Sequence, residues 1–314
     1  MVELSLETLP PAPREKRGWP WTSMGTEAAS ANSHRTDSLG KSFPKITIVT
    51  PSYNQGRYIE ETVRSILLQN YPNLEYLIFD AGSTDQTMEI LKRYEPWLDY
   101  CCSERDRGQA HAVNKGFARA TGDLLNWVNS DDVLFPGALQ AVAQAARERL
   151  SENVIFYGNR IRFDADGRRF DFDLPPKHLT LLHFLIGSHI PQETAFISRA
   201  AYEKLGPLNE ERKFALDYDY WARAIVNGTQ FRHVGRFLGG MRFHELSKSL
   251  TWTDINVSES ADIRGMLLAH VRMPKAVVER FLGVFGAASY HFSRSFKKPL
   301  YKLAHNIPRT IYEM

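Results

Sequence analysis

Short apolar runs alternate with amphipathic stretches from residue 45 onward. Runs of β-branched and aromatic residues are typical of buried strands, which we predict over residues 46–50, 74–80, 97–103, 124–128, 154–159 and 231–238 and at the end of 190–197. Between them, apolar positions recur three and four residues apart. This spacing predicts helices over residues 57–69, 86–94, 109–120, 137–149, 178–186, 199–204 and 214–226.

The alternation of strand and helix predicts βαβ units. These imply an α/β fold with a mostly parallel central sheet, right-handed crossovers and flanking helices. Residues 161–172 depart from that order, because they alternate around Asp166-Gly167, a pair typical of a hairpin turn. In sheets of this kind, ligands bind beyond the carboxyl ends of the parallel strands. We therefore expect a functional site in the loops that follow the strands.

Three of these loops are strongly polar, at residues 52–56, 80–85 and 129–132. In the third, an apolar run ends at two adjacent carboxylates, Asp131 and Asp132. Hard divalent cations prefer carboxylate oxygens, so such a strand end is suited to hold a metal. A solvated turn or a helix N-cap explains an isolated Asp pair equally well, since Asp favours both. The convergence of three polar loops on one edge of the sheet favours the metal site.

The two ends of the chain differ from this regular middle part. Residues 1–42 are rich in Pro, Ser, Thr, Asn and Gly, which predicts a mostly disordered leader in which only Trp19 and Trp21 could dock. Residues 43–252 form the predicted domain, and residues 253–314 a helical tail that interleaves basic with apolar residues. Such a tail fits an anionic membrane surface, and it fits equally well a surface of the domain or of a second subunit.

Composition sets limits on partners and compartment. With 314 residues, 43% of them hydrophobic, and a net charge of +3, the chain is globular and too weakly basic to indicate nucleic acid as a partner. The adjacent Cys101 and Cys102 point to opposite sides of a strand, which argues against a disulfide between them and fits a reducing compartment. We find no apolar run of about 18 residues and no secretory signal. We therefore expect a cytoplasmic protein, peripheral at the inner face of the membrane if the tail binds lipid.

Six motifs follow one another and together resemble the family 2 inverting glycosyltransferases, which have the GT-A fold. They are Thr50–Asn54, Asp80–Asp85, Ser103–Gly108, Asn114–Gly116, Asn129–Asp132 and Leu216–Trp221. Each motif is weak alone, whereas six in this order with suitable spacing are specific. The resemblance covers roughly residues 44–250 and reaches neither the leader nor the basic tail. It implies a nucleotide-sugar donor, a divalent metal and inversion at the anomeric carbon of the sugar.

The resemblance also implies nucleotide-binding roles. Pro51 and Tyr53 lie where the family holds the base, with the Tyr53 ring stacking on it; packing at the strand end is the alternative for this ring. Asp80 lies where the family's acid accepts a hydrogen bond from the base, and an Asx turn fits it too. Asp106 lines the nucleotide or the sugar. Asn129 replaces the first acid of the family's Asp-x-Asp element, so it could bond the ribose but carries no charge.

For the chemistry, the resemblance implies a metal held by Asp131, Asp132 and His244. Mg²⁺ or Mn²⁺ in that place bridges the two phosphates of the donor. Asp217 resembles the general base that removes the proton from the acceptor hydroxyl. Asp219, two residues further on, is a second candidate for this base.

The roles of three more residues in this region stay open. Leu216 stands where the family often has an acid before the base, so the pattern is incomplete there. Arg242 and Lys248 are candidates to bind phosphate, because both carry a positive charge in the region of His244.

The predicted function is transfer of a sugar from a UDP- or GDP-linked donor to a hydroxyl of a glycan or of a lipid-linked acceptor. The basic tail is the reason for including a lipid. A nucleotidyltransferase of the same fold is an alternative, but it needs a Gly-rich, basic loop after the first strand, and residues 51–54 offer neither. A non-catalytic protein that binds sugar nucleotides is another, because Asn129 and Leu216 replace acids of the family.

Overall fold

The computed structural model describes residues 6–22, 42–248, 253–271 and 310–311. The strands of this part are β1 Ile46–Ser52, β2 Leu74–Asp80, β3 Tyr100–Ser103, β4 Leu124–Trp127, β5 Val133–Leu134, β6 Val154–Asp164, β7 Arg169–Asp173, β8 Phe196–Ser198 and β9 Gln230–Phe243. Its helices are α1 Ile59–Leu67, α2 Thr87–Tyr94, α3 Gln109–Arg119, α4 Ala138–Ala146, α5 Leu181–Ile186, α6 Arg199–Leu205, α7 Leu216–Val226 and α8 Thr253–Leu268. Two short 3₁₀ helices are Glu95–Trp97 and Gln192–Thr194.

The nine strands of the described residues form one mixed sheet, in the order β3-β2-β1-β4-β8-β6-β9-β5, with β7 paired to β6. The first four strands in this order run parallel, as βαβ units require, and place Ser52 beside Asp80 and Asp80 beside Ser103. Strand β8 then pairs antiparallel with both β4 and β6. The α/β class is as predicted, and the parallel pairing holds for the half of the sheet that carries the polar loops.

The far edge of the sheet differs from the sequence pattern. Strand β9 is longer than the pattern predicts, so Arg242 lies in a strand and not in a loop. The two-residue strand β5, which the pattern does not show, follows Asp132 and pairs with β9. A Cβ atom on Gly239 of β9 would lie only 2.8 Å from the Val133 carbonyl oxygen. The close approach of β9 therefore depends on this glycine and brings Arg242 against the acids.

Two hydrophobic clusters cover the two faces of the sheet. Ile46 and Ile48 of β1 pack with α1, α2 and α4, whereas Val49 packs with α3, α6 and α7. Trp127 and Trp221 stack in the cluster that contains Val49, with ring centroids 5.8 Å apart. Because side chains of a strand alternate between its faces, β1 contributes to both clusters and each helix covers the face that its crossover dictates.

Helix α8 packs on the domain. Ile263 and Leu267 are buried in the cluster that contains α7. The Glu259 carboxylate accepts the N–H groups of Lys213, Phe214 and Ala215, which lead into α7. The predicted boundary at residue 252 assigns α8 to the tail, and it stays a prediction. The rest of the predicted helical tail, residues 272–309 and 312–314, lies outside the described residues, as does the membrane contact expected of it.

Residues 6–22 differ from the predicted disorder of the leader. Leu9 and Trp21 are buried against the domain. The Arg64 side chain of α1 donates to the carbonyl oxygens of Pro10 at 2.7 Å and Pro20 at 3.1 Å. This part of the leader lacks helical or strand periodicity because it packs as a series of turns. The rest of the leader before residue 42 lies outside the described residues.

The predicted hairpin forms between β6 and β7, and its turn contains Gly167 at φ +81°. Residues at the other end of the chain return to it: Thr310 bridges Arg168, and the Ile311 N–H donates to the Gly167 carbonyl at 3.0 Å. Ile311 is fully buried in a third cluster, with Val133, Phe135, Ile161 and Phe163. Among the described helices, none is long and apolar enough to cross a membrane.

Glu75 ties the start of β2 to its neighbours. Its carboxylate accepts hydrogen bonds from the Thr121 N–H and hydroxyl, from Thr47 Oγ1 at 2.6 Å and from Lys45 Nζ at 2.9 Å. Burial opposes ionisation, but these bonds outweigh it and lower the pKa of Glu75 to about 2. Because the pKa is lower in the folded than in the unfolded chain, the stabilisation is present above the unfolded value of about 4.3 and is lost as the pH falls toward 2.

We expect Glu75→Gln to lower the free energy of unfolding at pH 7 by on the order of 3 kcal/mol, because the variant loses the charge that these donors stabilise. The difference from the wild-type chain should narrow as the pH falls from 5 to 2. Urea unfolding at a series of pH values measures the loss of stability at pH 7 and its change with pH. Glu148→Gln, at an exposed position on the surface, is the control. A difference that does not change with pH would contradict the expectation.

Candidate active site

The first two strand-end loops are tied to each other at one edge of the sheet. The Asn54 N–H donates to Ser83 Oγ at 2.7 Å, and the Thr84 N–H donates to Asn54 Oδ1 at 2.9 Å. Pro51 is buried in β1. Tyr53 extends from the same loop with 58% of its surface exposed. The loop thus presents a fixed aromatic face to solvent, on which a nucleotide base can stack.

Asp80 ends β2, and its carboxylate is engaged by the turn that follows. Its Oδ2 accepts the N–H groups of Gly82 at 3.0 Å and Ser83 at 2.8 Å and the Ser103 hydroxyl at 2.6 Å. Its Oδ1 accepts the Ser83 hydroxyl. The Asx turn left open by the sequence is therefore present. Recognition of a base by Asp80 stays a prediction, and it requires a place for one more donor at this carboxylate.

Asp131 and Asp132 follow β4 and have different environments. Asp132 is buried: its Oδ1 accepts the Arg242 N–H at 3.0 Å, and its Oδ2 accepts Asn129 Nδ2 at 3.1 Å. Asp131 keeps 20% of its side chain exposed, and its Oδ2 lies 3.0 Å from His244 Nε2. Of the two carboxylates, Asp131 is therefore the one open to a ligand, and Asp132 shapes the turn.

The electrostatics of this turn favour a cation. Burial raises the pKa of Asp132 well above its ordinary value, and the carboxylates of Asp131 and Glu193 add to the rise. The Arg242 N–H and the Arg160 guanidinium oppose it. Because carboxylates close together in a buried place repel one another when ionised, added positive charge stabilises the ionised forms of all three.

Arg242 supports the turn from strand β9. Its Nε donates to the Asp131 carbonyl at 3.0 Å, and its Nη2 pairs with Glu61 Oε1 at 2.7 Å. The guanidinium lies 4.8 Å from the ring centroid of Tyr58 and 4.6 Å from that of Phe163. With 1% of its side chain exposed, Arg242 is a structural cation beneath the site. It is not placed to bind phosphate as its position in the sequence suggested.

A chain of hydrogen bonds crosses the site from the other side. Lys248 Nζ donates to Gln109 Oε1 at 2.9 Å, and Gln109 Nε2 donates to Asn129 Oδ1 at 2.6 Å. Asp106 accepts the N–H two residues further on at 2.7 Å, at the start of α3. Burial lowers the pKa of Lys248, and the charges of Asp131 and Asp106 oppose that effect. Lys248 therefore lies within electrostatic reach of both acids, where an ammonium group suits an anionic ligand.

Helix α7 carries Asp217 in its first turn. Asp217 Oδ1 accepts the Tyr218 N–H at 2.7 Å, and burial raises the pKa of Asp217 against this bond. Asp219 is buried between two arginines, at 3.4 Å from Arg212 Nε and 2.9 Å from Arg223 Nε. Of the two acids, Asp219 is bound in ion pairs, whereas burial leaves Asp217 with a raised pKa.

Arg160 and Glu193 belong to the site although no motif singles them out. Arg160 of β6 donates to Asp173 Oδ2 at 2.7 Å, and its Nη1 lies 3.3 Å from Glu193 Oε2. Burial raises the pKa of both Asp132 and Asp217, and the charge of Arg160 opposes this rise in each. The Glu193 side chain is buried, and its Oε1 has no hydrogen-bond partner among the described residues. Arg160 thus lies within electrostatic reach of Asp132 in the β4 turn and of Asp217 in α7.

The sequence pattern could have indicated Arg160 as a residue of the site, whereas it contains no indication of Glu193. Arg160 and Arg162 alternate with the buried Ile161 and Phe163, which predicts both arginines on one face of the strand. Glu193 sits in a short turn without any period. Its role depends on the packing of that turn against β4, where the Asn126 side chain donates to the Glu193 carbonyl at 2.9 Å.

The residues of this site offer part of the ligand set of a divalent cation. Among the described residues, no group of three or more His, Cys, Asp or Glu could hold a metal ion by itself. Asp131, with His244 beside it, instead offers an accessible carboxylate. Mg²⁺ commonly takes one or two carboxylates and completes its shell with substrate phosphates and water.

The sequence and the fold of the chain match known proteins. The family model for Glycosyl transferase family 2 matches residues 47–206. An uncharacterized glycosyltransferase of Rickettsia typhi is 27% identical over 201 residues, which cover 60% of this chain and 62% of that protein. A putative teichuronic acid biosynthesis glycosyltransferase, TuaG of Bacillus subtilis, is 41% identical over 92 residues, or 28% of this chain and 36% of that protein. The chain thus matches less than two thirds of the length of these relatives.

Among solved structures, S. aureus TarS 1–349 in complex with UDP-GlcNAc has a TM-score of 0.60 with 20% sequence identity. The likeness covers 82% of this chain and 75% of that chain. At this identity it concerns the fold, and it confirms the predicted GT-A-type architecture. The family model spans half of the chain and includes all three polar strand-end loops. The chain therefore belongs to glycosyl transferase family 2, as its motifs predict.

Proposed function

We propose that the chain is a metal-dependent, inverting glycosyltransferase. It moves a sugar from a UDP- or GDP-linked donor to a hydroxyl of a glycan or of a lipid-linked acceptor. One observation carries this function: the accessible carboxylate of Asp131, beside His244, follows β4, and Arg160 lies within electrostatic reach of both its neighbour Asp132 and Asp217 of α7. A donor site and a separate base for the acceptor are what a sugar transfer between two substrates requires.

On the donor side, Asp131 is the direct metal ligand in this proposal, with His244 beside it, and Asp132 fixes the turn. When bound there, Mg²⁺ or Mn²⁺ would supply positive charge that favours departure of the nucleoside diphosphate. Lys248 adds a positive charge on the Asp106 side. Tyr53 stacks on the base.

On the acceptor side, Asp217 takes the proton of the attacking hydroxyl. The hydroxyl oxygen forms the new bond to the anomeric carbon as the bond to the diphosphate breaks. Attack from the face opposite the leaving group inverts that carbon in one displacement. Burial raises the pKa of Asp217, which makes its carboxylate a stronger base than an ordinary aspartate. The TuaG name, which refers to teichuronic acid, supports a glycan acceptor.

A panel of nucleotide sugars tests the donor side. We expect one base, uracil or guanine, to raise the melting temperature in the presence of Mn²⁺ and to have little effect without it, because ligand that binds only the folded chain stabilises it. UDP-GlcNAc and GDP-mannose are suitable first probes. Asp131→Asn should lose the metal-dependent part of the shift. Asp166→Asn, an exposed acid in the β6–β7 turn, is the matched control. An equal shift in both variants would remove Asp131 from the metal site.

Release of nucleoside diphosphate separates the enzyme from a non-catalytic binder. A transferase hydrolyses or transfers its donor slowly even with a poor acceptor, whereas a pure binding protein releases no nucleoside diphosphate. A stable complex with no turnover in the presence of glycan acceptors would favour the binding protein.

A further inference from the structure

The described part of the leader, residues 6–22, contacts the chain directly behind the proposed metal acids. Trp19 Nε1 donates to the Leu134 carbonyl at 2.9 Å. The Leu134 N–H donates to Ser65 Oγ of helix α1 at 3.1 Å. Leu134 lies two residues after Asp132 in strand β5. The leader and α1 therefore hold the same residue of β5 by its two backbone groups.

The leader also fixes helix α1. Arg64 is buried, donates to the Pro10 and Pro20 carbonyls and lies 5.2 Å from the ring centroid of Trp21. It also donates to the Tyr94 hydroxyl at 3.1 Å. Because a buried guanidinium without acceptors is costly, these contacts tie α1 and the leader into one unit.

Helix α1 in turn holds the acidic turn itself. Thr62 Oγ1 donates to the Asp132 carbonyl at 2.7 Å. Glu61 pairs with Arg242, which donates to the Asp131 carbonyl. Lys16 of the leader lies 3.8 Å from the other oxygen of Glu61. Every step from the leader to the two acids is thus a hydrogen bond or an ion pair between named groups.

We propose that residues 6–22 are a positioning strap for the donor site, with Trp19 and Arg64 as positioning residues. The strap holds the Asp131–Asp132 turn through β5 and α1, so that the carboxylates keep the arrangement in which a metal and a diphosphate bind. The metal part of this inference rests on the proposed function. The strap lies outside the part of the chain that the family model matches, so this contribution to the site belongs to the chain's own leader. Ligands of a metal bind well only when their supporting contacts keep them within a fraction of an ångström of the right place.

Trp19→Phe in the full chain tests the strap at a single hydrogen bond. It removes the indole N–H and keeps an aromatic ring. Trp97→Phe is the matched control, because the Trp97 indole N–H has no acceptor among the described residues. We expect amide hydrogen exchange over residues 132–135 to become about threefold to tenfold faster in Trp19→Phe, as loss of one hydrogen bond predicts, and to stay unchanged in Trp97→Phe.

Calorimetric titration with Mn²⁺ and UDP, and with Mn²⁺ and GDP, gives the functional readout. The affinity for the nucleotide that binds should fall about threefold to tenfold in Trp19→Phe, with the KM for acceptor unchanged. Arg64→Met, which releases the whole strap from α1, should have a larger effect on both readouts at a temperature where circular dichroism shows it folded. Should Arg64→Met not fold, Trp19→Phe decides alone.

The strap is overturned as a positioning element if exchange over residues 132–135 is the same in Trp19→Phe and Trp97→Phe. It is also overturned if exchange rises while nucleotide affinity in the presence of Mn²⁺ does not change, since the contact is then structural only. If the wild-type chain binds neither nucleotide with Mn²⁺, the proposed donor site fails separately. The exchange comparison then still decides whether the strap holds the turn.

Discussion

Asp217→Asn is expected to lower the rate of sugar transfer by about 10²–10⁴-fold, the usual contribution of a positioned general base. The amide has nearly the same shape and keeps the hydrogen bond to the Tyr218 N–H, but it cannot accept the proton of the acceptor hydroxyl. Binding of the nucleotide with Mn²⁺ should stay close to that of the wild-type chain. Transfer is measured by release of nucleoside diphosphate with saturating acceptor, and binding by calorimetry.

Asp219→Asn is the matched comparison for this variant. Asp219 is paired with Arg212 and Arg223, so its loss should lower stability and leave the rate per folded molecule nearly unchanged. If Asp219→Asn lost most of its rate while Asp217→Asn stayed active, Asp219 would be the base and Asp217 would not. The pH dependence gives a second check. Because burial raises the pKa of Asp217, the rate should fall with decreasing pH at a value above that of an ordinary aspartate, and that limb should be absent in Asp217→Asn.

Glu61→Leu is expected to lower the free energy of unfolding by about 3–5 kcal/mol, because it leaves the buried guanidinium of Arg242 without its carboxylate. The double variant Glu61→Leu, Arg242→Met should recover much of this loss, since replacing both partners of a buried pair with apolar groups is often neutral. Urea unfolding of the two single variants and the double variant completes a thermodynamic cycle. If the stability loss of the double variant equalled the sum of the two single losses, there would be no direct pairing energy between Glu61 and Arg242.

The same cycle separates stability from function. The double variant lacks the hydrogen bond from Arg242 to the Asp131 carbonyl, so it should regain stability without regaining nucleotide affinity in the presence of Mn²⁺. The partly exposed pair Arg149–Glu152 provides the control. Glu152→Gln there should change stability by no more than about 1 kcal/mol, because exposed ion pairs contribute little.

The parallel half of the sheet could be predicted because its information is local. Residues 46–50 form a short β-branched run, and a polar loop follows it at once, so strand and loop position together predict the edge at which a ligand binds. The hairpin at Gly167 could be predicted for the same reason. Family motifs then identified Asp131, Asp132 and Asp217 as candidates, because the chemistry of a carboxylate at those positions is specific.

The supports of the site could not be predicted, because their partners are distant in the chain. Glu61 lies on a helix whose pattern treats it as a surface residue, yet it is buried against Arg242, which is 181 positions away. Glu193 packs against β4 and β6, and the sequence of neither strand indicates that a buried acid lies next to it. Likewise, the leader has no periodic pattern from which its contact with Leu134 could be predicted. Periodicity describes which face of an element is buried and does not describe what packs against it.

The return of Ile311 to the β6–β7 hairpin has a consequence for the turn that carries Asp131 and Asp132. Ile311 is fully buried among Val133, Phe135, Ile161 and Phe163, and its N–H donates to the Gly167 carbonyl at 3.0 Å. Because Val133 directly follows Asp132, this packing supports the same stretch of chain from the side opposite to the leader. A chain cut before Thr310 would therefore leave an apolar cluster open to water next to the proposed metal acids. The entropy cost of bringing such distant residues together grows only as the logarithm of their separation in the sequence.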